Sequence, residues 1–577
     1  MNSLYLFNWM GDILKNRHLV YLFVMLVIVV FCCWPYIKRK RWIFFLSFCC
    51  IIGIGIIHQL AFHTIAEDAF IGFRYSRNLA DGYGLVFNIG ERVEGYSNFL
   101  WTVLLASAKR FFGLDIPTTA RVFGGILSIF VFLISYKITW RITKNLHISL
   151  LTVLITGSIG AYASWGLSGL ENPLFAIWLM LAIYSIFDKH WWITSILLLL
   201  MALTRIDGVV FIPPFLIFAC IYTPKTERIK VLTKLIVPFF VIYLIYTIWR
   251  ISYFGYFIPN TVAAKNCSSI LYRIFNGVRY IGNYFVTYGT LIILFIAAFN
   301  AFITAVVKKI DTISIKKVYI ALKETFLPEE VLLLLVTGTY ICYIIFIGGD
   351  WMPTGRFLYV VIPPFVILSL SLWQRHIKVT FLQLNSKIGV SLFFIACIIC
   401  FYNSFLVYDH IPEVRVWKNQ ITGLAEIGQW LNSSLPESTI VAVTANGSLS
   451  YHSKLPTIDM HGLTDEHIGR KGKRLSRGVS GQTTRDYKYV VSQKPQIVVY
   501  SGGGFWDSPH QFAMLNEFKD NYDAITFYFK NCNNPRGKFL NLWLLRSQKD
   551  KLIKLLTKSD GVEEFQEINQ ENYFNNK

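Results

Sequence analysis

Apolar stretches of about 15–20 residues recur along the first 405 positions of this 577-residue chain, and they decide what it can become. A helix of about that length crosses the roughly 30 Å hydrocarbon core of a bilayer, and it satisfies its own backbone hydrogen bonds there. We place twelve spans, at 19–36, 42–62, 118–137, 148–163, 173–188, 193–204, 209–222, 235–252, 282–306, 331–347, 357–374 and 388–405. Charged residues make up 15% of the chain and hydrophobic ones 54%, which excludes an ordinary soluble enzyme.

The formal net charge of +21 would suit a nucleic-acid binder if its position did not argue otherwise. Lys and Arg gather in short loops between apolar runs: Lys38-Arg39-Lys40-Arg41, Lys225 to Lys234, Lys308 to Lys323, and Arg375 to Lys387. Cationic loops of this kind stay cytoplasmic. With the first cluster inside, parity places 63–117, 164–172, 204–208, 253–281 and 348–356 outside, in a bacterial inner membrane with a periplasmic working face. The stretch 98–112 is apolar too, but a span there would send Lys137, Arg141 and Lys144 outside, so it reads as an interfacial or re-entrant helix. The run 19–36 lacks a small-residue cleavage site and reads as a retained helix. Eight of ten cysteines lie in apolar runs, and Cys267 and Cys532 in outer segments are expected as free thiols.

Beyond residue 405 the composition becomes that of a water-soluble domain. A helix pattern over 417–434 carries Ile421, Leu424, Ile427 and Leu431 on one face and closes before Pro436. Segments 439–443, 496–500 and 539–545 read as strands, and the acidic, Asn-rich stretch from about 558 is expected to fray. The domains are therefore a membrane domain, 1–405, with its first outer loop at 63–117, and a periplasmic α/β domain, 406–577.

The outer segments hold the candidate chemistry. Glu67-Asp68 follows the second span; two adjacent carboxylates near a membrane repel, and burial lifts a carboxyl toward the range of a general base. The alternative is that the pair caps the helix that follows. The same loop carries Arg74, Tyr75 and Glu94 among several glycines. Glu171 stands at a helix start, and Arg205 with Asp207 at a helix boundary, where the alternative to a ligand role is that the two pair with each other. Asp350-Trp351 precede Arg356, and Asn260 and Lys265 lie in another outer segment. Arg205, Lys265 and Arg356 would suit a lipid-linked phosphate, with a carboxylate opposite serving as base for an inverting sugar transfer. Trp165 and Trp351 would stack on a sugar or belong to the aromatic belt.

Glu67 to Trp101, Ser168-Gly-Leu-Glu171-Asn-Pro-Leu, Leu203-Thr-Arg-Ile-Asp-Gly208, Tyr256-Phe-Ile-Pro-Asn-Thr261, Gly348-Gly-Asp-Trp-Met-Pro353 and Ile458-Asp-Met-His461-Gly-Leu-Thr-Asp465 resemble one family. It is the family of the mycobacterial terminal β-(1→2) arabinofuranosyltransferase, which also goes by the name of flagellar motor control proteins. The resemblance runs in ordered blocks over about 60–500. It implies a GT-C glycosyltransferase fold, that is, a polytopic α-helical membrane protein of about 11–12 transmembrane helices with a C-terminal soluble α/β domain. It implies catalytic carboxylates in the first outer loop and a polyprenyl-phosphate sugar donor. Asp68 and Glu67 match the acidic pair; the family usually shows Asp-Asp, so Asp68 is the expected base. Arg74 joins the donor-phosphate set. Tyr75, Glu94, Glu171, Asp207, Asn260, Asp350, Trp351, His461 and Asp465 form the expected substrate set, with His461 and Asp465 hanging over the site.

The expected activity is transfer of a sugar to a hydroxyl of an envelope glycan or glycolipid, with the bilayer as partner and no nucleic acid. A monophosphate donor needs no metal, although the outer carboxylates would accept Mg²⁺ or Ca²⁺. A transporter or flippase of lipid-linked sugars would place polar groups near the midplane in two related halves; a non-catalytic envelope or motility assembly factor would tolerate loss of Asp68.

Overall fold

The computed structural model describes residues 18–61, 65–265, 269–288, parts of 291–303, 325–376 save 351 and 353, 391–399 save 393, 412–474, 484–499, 515–529, 539–558 and 561–568. It separates into two compact units. One comprises Met1–Thr64, Ala120–Ile248 and Ile270–His410; the other comprises Ile65–Thr119, Trp249–Ser269 and Ile411–Lys577.

The first unit is helical. Among the described residues, four helices are long and apolar enough to cross a membrane: Arg41–Ala61, Ile116–Thr143, Lys225–Phe254 and Pro328–Ile347. Shorter apolar helices, including Asn172–Phe187 and Trp191–Thr204, stand where other spans are expected. The expected span 148–163 is instead broken, because Ile159 takes an extended conformation (φ −80°, ψ 124°) and Leu146–Ser158 meets Gly160–Gly166 at 68°. Parts of the expected spans 282–306 and 388–405 lie outside the described residues, as do Trp351, Cys267, Cys532 and the basic stretch 308–323. Small residues let backbones approach closely: a Cβ on Gly157 would stand 3.2 Å from the Gly55 Cα.

The second unit is built on a six-stranded mixed sheet. Its strands are β1 (Val441–Val443), β2 (Thr457–Asp459), β5 (Ile497–Val499), β6 (Tyr522–Phe529), β7 (Phe539–Leu545) and β8 (Val562–Ile568), in the order β2-β1-β5-β7-β6-β8. β3 (Lys473–Arg474) and β4 (Thr484–Arg485) form a separate ribbon. β2, β1 and β5 run parallel, and β7, β6 and β8 continue the sheet antiparallel.

Strand alternation divides the side chains between two cores. Val441, Val443, Ile497, Val499, Leu542 and Leu544 pack on one face with Leu424 and Leu431 of the helix Pro412–Ser434. Ala442, Val498 and Trp543 face the other way, toward Ile468, Val490 and Phe518. The helix and three strands expected from sequence are present. The fraying expected from about 558 is corrected over Val562–Ile568, which pairs with β6 from Ala524↔Ile568 to Phe529↔Val562. Its composition is polar because an edge strand leaves most of its side chains in solvent.

The segments Ile65–Thr119 and Trp249–Ser269 belong to this same unit. The first supplies the helices Ala69–Ala80 and Phe99–Phe112, the latter ended by Gly113 in the left-handed conformation (φ 65°) that a residue without Cβ adopts cheaply.

Candidate active site

Glu67 and Asp68 occupy the turn into the helix Ala69–Ala80. Asp68 holds the N-cap position with φ −57° and ψ −25° and makes no side-chain cap. A capping residue normally needs extended dihedrals to fold its oxygen back onto the helix. Glu67 is directed elsewhere: its Oε1 accepts the amide N–H of Gly447 at 2.5 Å and of Ser448 at 3.2 Å. Glu67 therefore does not cap the helix that follows it, and Asp68 does not cap through its side chain. A side chain at 447 would collide with Glu67, since a Cβ there would lie 2.5 Å from Oε1. Burial pushes the Glu67 carboxyl up to about 8, the charge of Asp68 adds to the rise, and the two amides oppose it. Glu67 is thus largely protonated at neutral pH.

The rest of the loop is fastened by buried polar side chains, several of them residues expected to meet donor or substrate. Arg74 is 3% exposed. Its guanidinium donates to the carbonyls of Phe87 (2.8 Å), Ser450 (2.7 Å) and Leu455 (2.8 Å), to Asn88 Oδ1 (3.2 Å) and to Thr457 Oγ1 (3.3 Å). Five donors are committed, so none remains for a donor phosphate. Tyr75 is fully buried; its hydroxyl donates to the Val93 carbonyl (2.7 Å) and accepts from the Gly95 amide (2.9 Å), so it braces the loop and is closed to substrate. Asn260 is 1% exposed and its Nδ2 reaches the carbonyls of Gly462, Leu463 and Asp465 at 2.8, 3.1 and 2.9 Å, so it too clamps backbone.

Asp465 caps the helix Glu466–Lys471 through Oδ1 and the Ile468 amide (2.8 Å), and burial pushes its carboxyl up to about 6. His461 is buried, with its amide on Asp459 Oδ1 (2.9 Å). Glu94 pairs with Arg250 at 2.7 Å; burial pushes its carboxyl up to about 7 against the pull of that guanidinium. It lines a narrow cleft with Arg92, Tyr256, Glu466 and Arg470. Lys265 ends the helix Asn260–Lys265 in the same unit, half-buried.

In the first unit, Arg205 and Asp207 pair with each other, and Glu171 joins them. The guanidinium lies 2.9 Å from Asp207 and 2.6 Å from Glu171, and Asp207 also accepts from the Tyr340 hydroxyl at 2.8 Å. Arg205, expected at a donor phosphate, and Glu171 and Asp207, expected at substrate, are thus engaged with one another in this unit. Arg356 pairs with Asp350 at 2.7 Å. Phe357 lies under both guanidinium groups, 5.4 Å from Arg205 and 5.2 Å from Arg356, and Trp165 is 6.0 Å from Arg356.

Sequence reasoning passed over Asn88, Asp459, Asn446 and Gly447. Asn88 imitates a strand partner: its side chain accepts from the Thr457 amide (3.0 Å) and donates to the Thr457 carbonyl (2.9 Å) at β2. Asp459 holds the turn after β2 through the amides of His461 and Thr464. Asp459 sits within a quoted motif, and its local polar-turn character was the available signal; the partners of Asn88 and Gly447 had none. Among the described residues no three His, Cys, Asp or Glu side chains are grouped as a metal ion would require.

A family model described as "Domain of unknown function (DUF8728)" matches residues 412–544. The chain is 25% identical over 346 residues to the terminal beta-(1->2)-arabinofuranosyltransferase of Corynebacterium glutamicum, over 53% of this chain and 47% of that protein. It thus spans about half the length of this curated relative. Crystal structures of ArnT from Cupriavidus metallidurans superpose along nearly the whole chain. The apo form gives a TM-score of 0.51 at 9% identity, over 87% of this chain and 98% of ArnT. The form bound to undecaprenyl phosphate gives 0.50 at 10% identity, over 88% and 99%. The chain is a membrane protein with the GT-C fold, as the resemblance implied.

Proposed function

We propose that the chain is a membrane glycosyltransferase that moves a sugar from a polyprenyl-phosphate donor to an acceptor hydroxyl, with Asp68 as general base. The observation that carries this reading is the division of labour within the acidic pair. Glu67 is fixed by the amides of Gly447 and Ser448, whereas Asp68 makes no cap to the helix it precedes. A fixed, largely protonated Glu67 lowers the negative charge beside Asp68 and lets one carboxylate approach the anionic donor.

The acceptor oxygen attacks the anomeric carbon and its proton passes to Asp68. The bond from that carbon to the phosphate oxygen breaks, and the polyprenyl phosphate leaves with the electron pair. The configuration inverts in a single displacement. Lys265, in the same unit as the pair, is a cation proposed to meet the donor phosphate. Glu94, His461, Asp465, Asp350 and Trp351 remain proposed sugar or acceptor contacts. The likeness to ArnT and to an arabinofuranosyltransferase supports a lipid-linked donor; the positive-inside pattern supports a periplasmic face of the inner membrane and an envelope glycan or glycolipid acceptor.

The test is transfer from a radiolabelled polyprenyl-phosphate sugar in membranes containing equal amounts of protein. Asp68→Asn is expected to lower the rate by about 10²–10⁴-fold, the usual range for a positioned base. Glu67→Gln keeps an oxygen for both amides and is expected to lose much less. Full transfer by Asp68→Asn would overturn the assignment.

A further inference from the structure

The sheet of the second unit changes its direction of growth at β1. The chain leaves β1 for β2 on one side and returns to β5 on the other, and all three strands run parallel. The connecting helices lie on opposite faces. Leu449 of the helix Ser448–Ser453 packs in the core that holds Leu431, whereas Ile468 of Glu466–Lys471 and Val490 of Tyr487–Ser492 pack in the other. In an open α/β sheet such a reversal parts the connections at the carboxyl ends of the strands and leaves a crevice there, where ligands bind. Here the turn at the carboxyl end of β1 receives Glu67, through the amides of Gly447 and Ser448.

The strand ladder stops short of that turn, since the pairing of β1 with β2 ends at Val443↔Asp459. Side chains take over. Asn446 Nδ2 donates to Thr464 Oγ1 at 2.5 Å, and Asn446 Oδ1 accepts the Ser450 hydroxyl at 2.7 Å. Thr464 is held in turn by Asp459, whose Oδ2 accepts its amide at 2.9 Å and its hydroxyl at 3.3 Å, while Oδ1 accepts the His461 amide at 2.9 Å. Asn446, Ser450, Thr464 and Asp459 are all buried. A hydroxyl has one proton, so giving it to Asp459 leaves Thr464 lone pairs for Asn446 and fixes which way the carboxamide points. The Thr464 methyl group has a separate contact: a Cβ on Gly95 would stand 2.6 Å from it.

We propose that Asp459, Thr464 and Asn446 are positioning residues of the transfer, a relay that sets the turn Asn446–Ser448 at the carboxyl end of β1 and through it the place of Glu67 beside Asp68. The assignment rests on the transfer reading given above and deepens it. None of the three touches the reacting atoms. The relay carries the position of the carboxyl end of β2 to the backbone of Gly447, one residue beyond Asn446, where the Glu67 carboxyl is held. Buried side-chain networks of this kind hold one arrangement because each member has a single partner for each donor.

Two substitutions separate the relay from simple packing. Thr464→Val keeps the methyl group and loses the hydroxyl; Thr464→Ser keeps the hydroxyl and loses the methyl group. In membranes containing the full chain, Thr464→Val is expected to lower kcat at least tenfold with the donor KM changed less than twofold, and Thr464→Ser to keep at least a third of the wild-type kcat. In a Glu67→Ala background, Thr464→Val is expected to cost less than twofold more, because residues that act through one another are not additive. Hydrogen exchange of the full chain in detergent reads the turn without the reaction: the amides of 445–450 are expected to exchange at least tenfold faster in Thr464→Val and close to the wild-type rate in Thr464→Ser. A greater loss from Thr464→Ser than from Thr464→Val, an equal cost of Thr464→Val with and without Glu67, or unchanged exchange in Thr464→Val would each overturn the proposal. If Thr464→Val does not elute as a monodisperse species, Asn446→Leu is expected to give the same pattern and decides the outcome. Full transfer by Asp68→Asn would remove the base assignment, whereas the exchange rates still decide whether the relay holds the turn, so the two failures are told apart.

Discussion

A carboxyl oxygen of Glu67 accepts the backbone N–H of Gly447, 380 residues away in sequence, at 2.5 Å. The contact joins the segment Ile65–Thr119 to the turn after β1, and it fixes one member of the acidic pair while its neighbour makes no helix cap. It also makes the candidate site depend on the C-terminal region for its geometry.

Gly447→Val is expected to test that dependence. The new side chain meets both the main chain and the carboxylate of Glu67, so the pair is displaced. We expect a fall in kcat of at least tenfold with a stability loss of about 1–3 kcal/mol, the usual cost of overpacking, read by transfer assay and thermal melting.

The pH dependence of stability has a definite sign. Glu67, raised from 4.5 to about 8, binds more protons folded than unfolded between those values. Its contribution is therefore present below about 4.5 and is lost as pH rises through 8. Glu94 and Asp465, raised to about 7 and about 6, act in the same direction. Melting temperature is expected to fall from pH 5 to pH 9, and Glu67→Gln to flatten that fall; a profile unchanged by the substitution would contradict the raised carboxyl.

Arg74→Gln is expected to destabilise the second unit by about 3 kcal/mol or more, since several buried acceptors lose their donors at about 1–3 kcal/mol each. Arg74→Lys is expected to recover little, because three ammonium donors cannot serve five acceptors in a plane. Limited proteolysis of the C-terminal region with a thermal melt reads both.

Arg205→Leu leaves Glu171 and Asp207 as buried charges without their cation, with an expected loss of about 3–5 kcal/mol. Replacing all three by Leu is expected to return part of it. A triple variant less stable than the single one, measured by detergent thermal shift, would show that the cluster is more than an internal neutralisation.

Local chemistry was enough for the expectations that survived. An apolar run or an alternating strand carries its signal in contiguous residues, so the membrane character, the C-terminal sheet and the place of Glu67-Asp68 after the second span could be read directly. The pairing of Arg205 with Asp207 was legible for the same reason, being two residues apart. The cations were a different matter. Arg74 looks like a phosphate ligand in sequence, but its acceptors at Ser450, Leu455 and Thr457 lie more than 370 residues away. Glu171, 34 residues before Arg205, alters the charge of that site just as invisibly. A side chain's availability depends on which acceptors the fold brings to it, and only the tertiary structure sets those distances. Sequence thus determined that this chain inserts in a membrane and where its acidic pair lies, because burial of apolar runs follows from composition along the chain. The tertiary structure decided which partners Arg74, Tyr75, Asn260 and Arg205 take, because a buried polar group takes the partner that folding places within 3 Å or so.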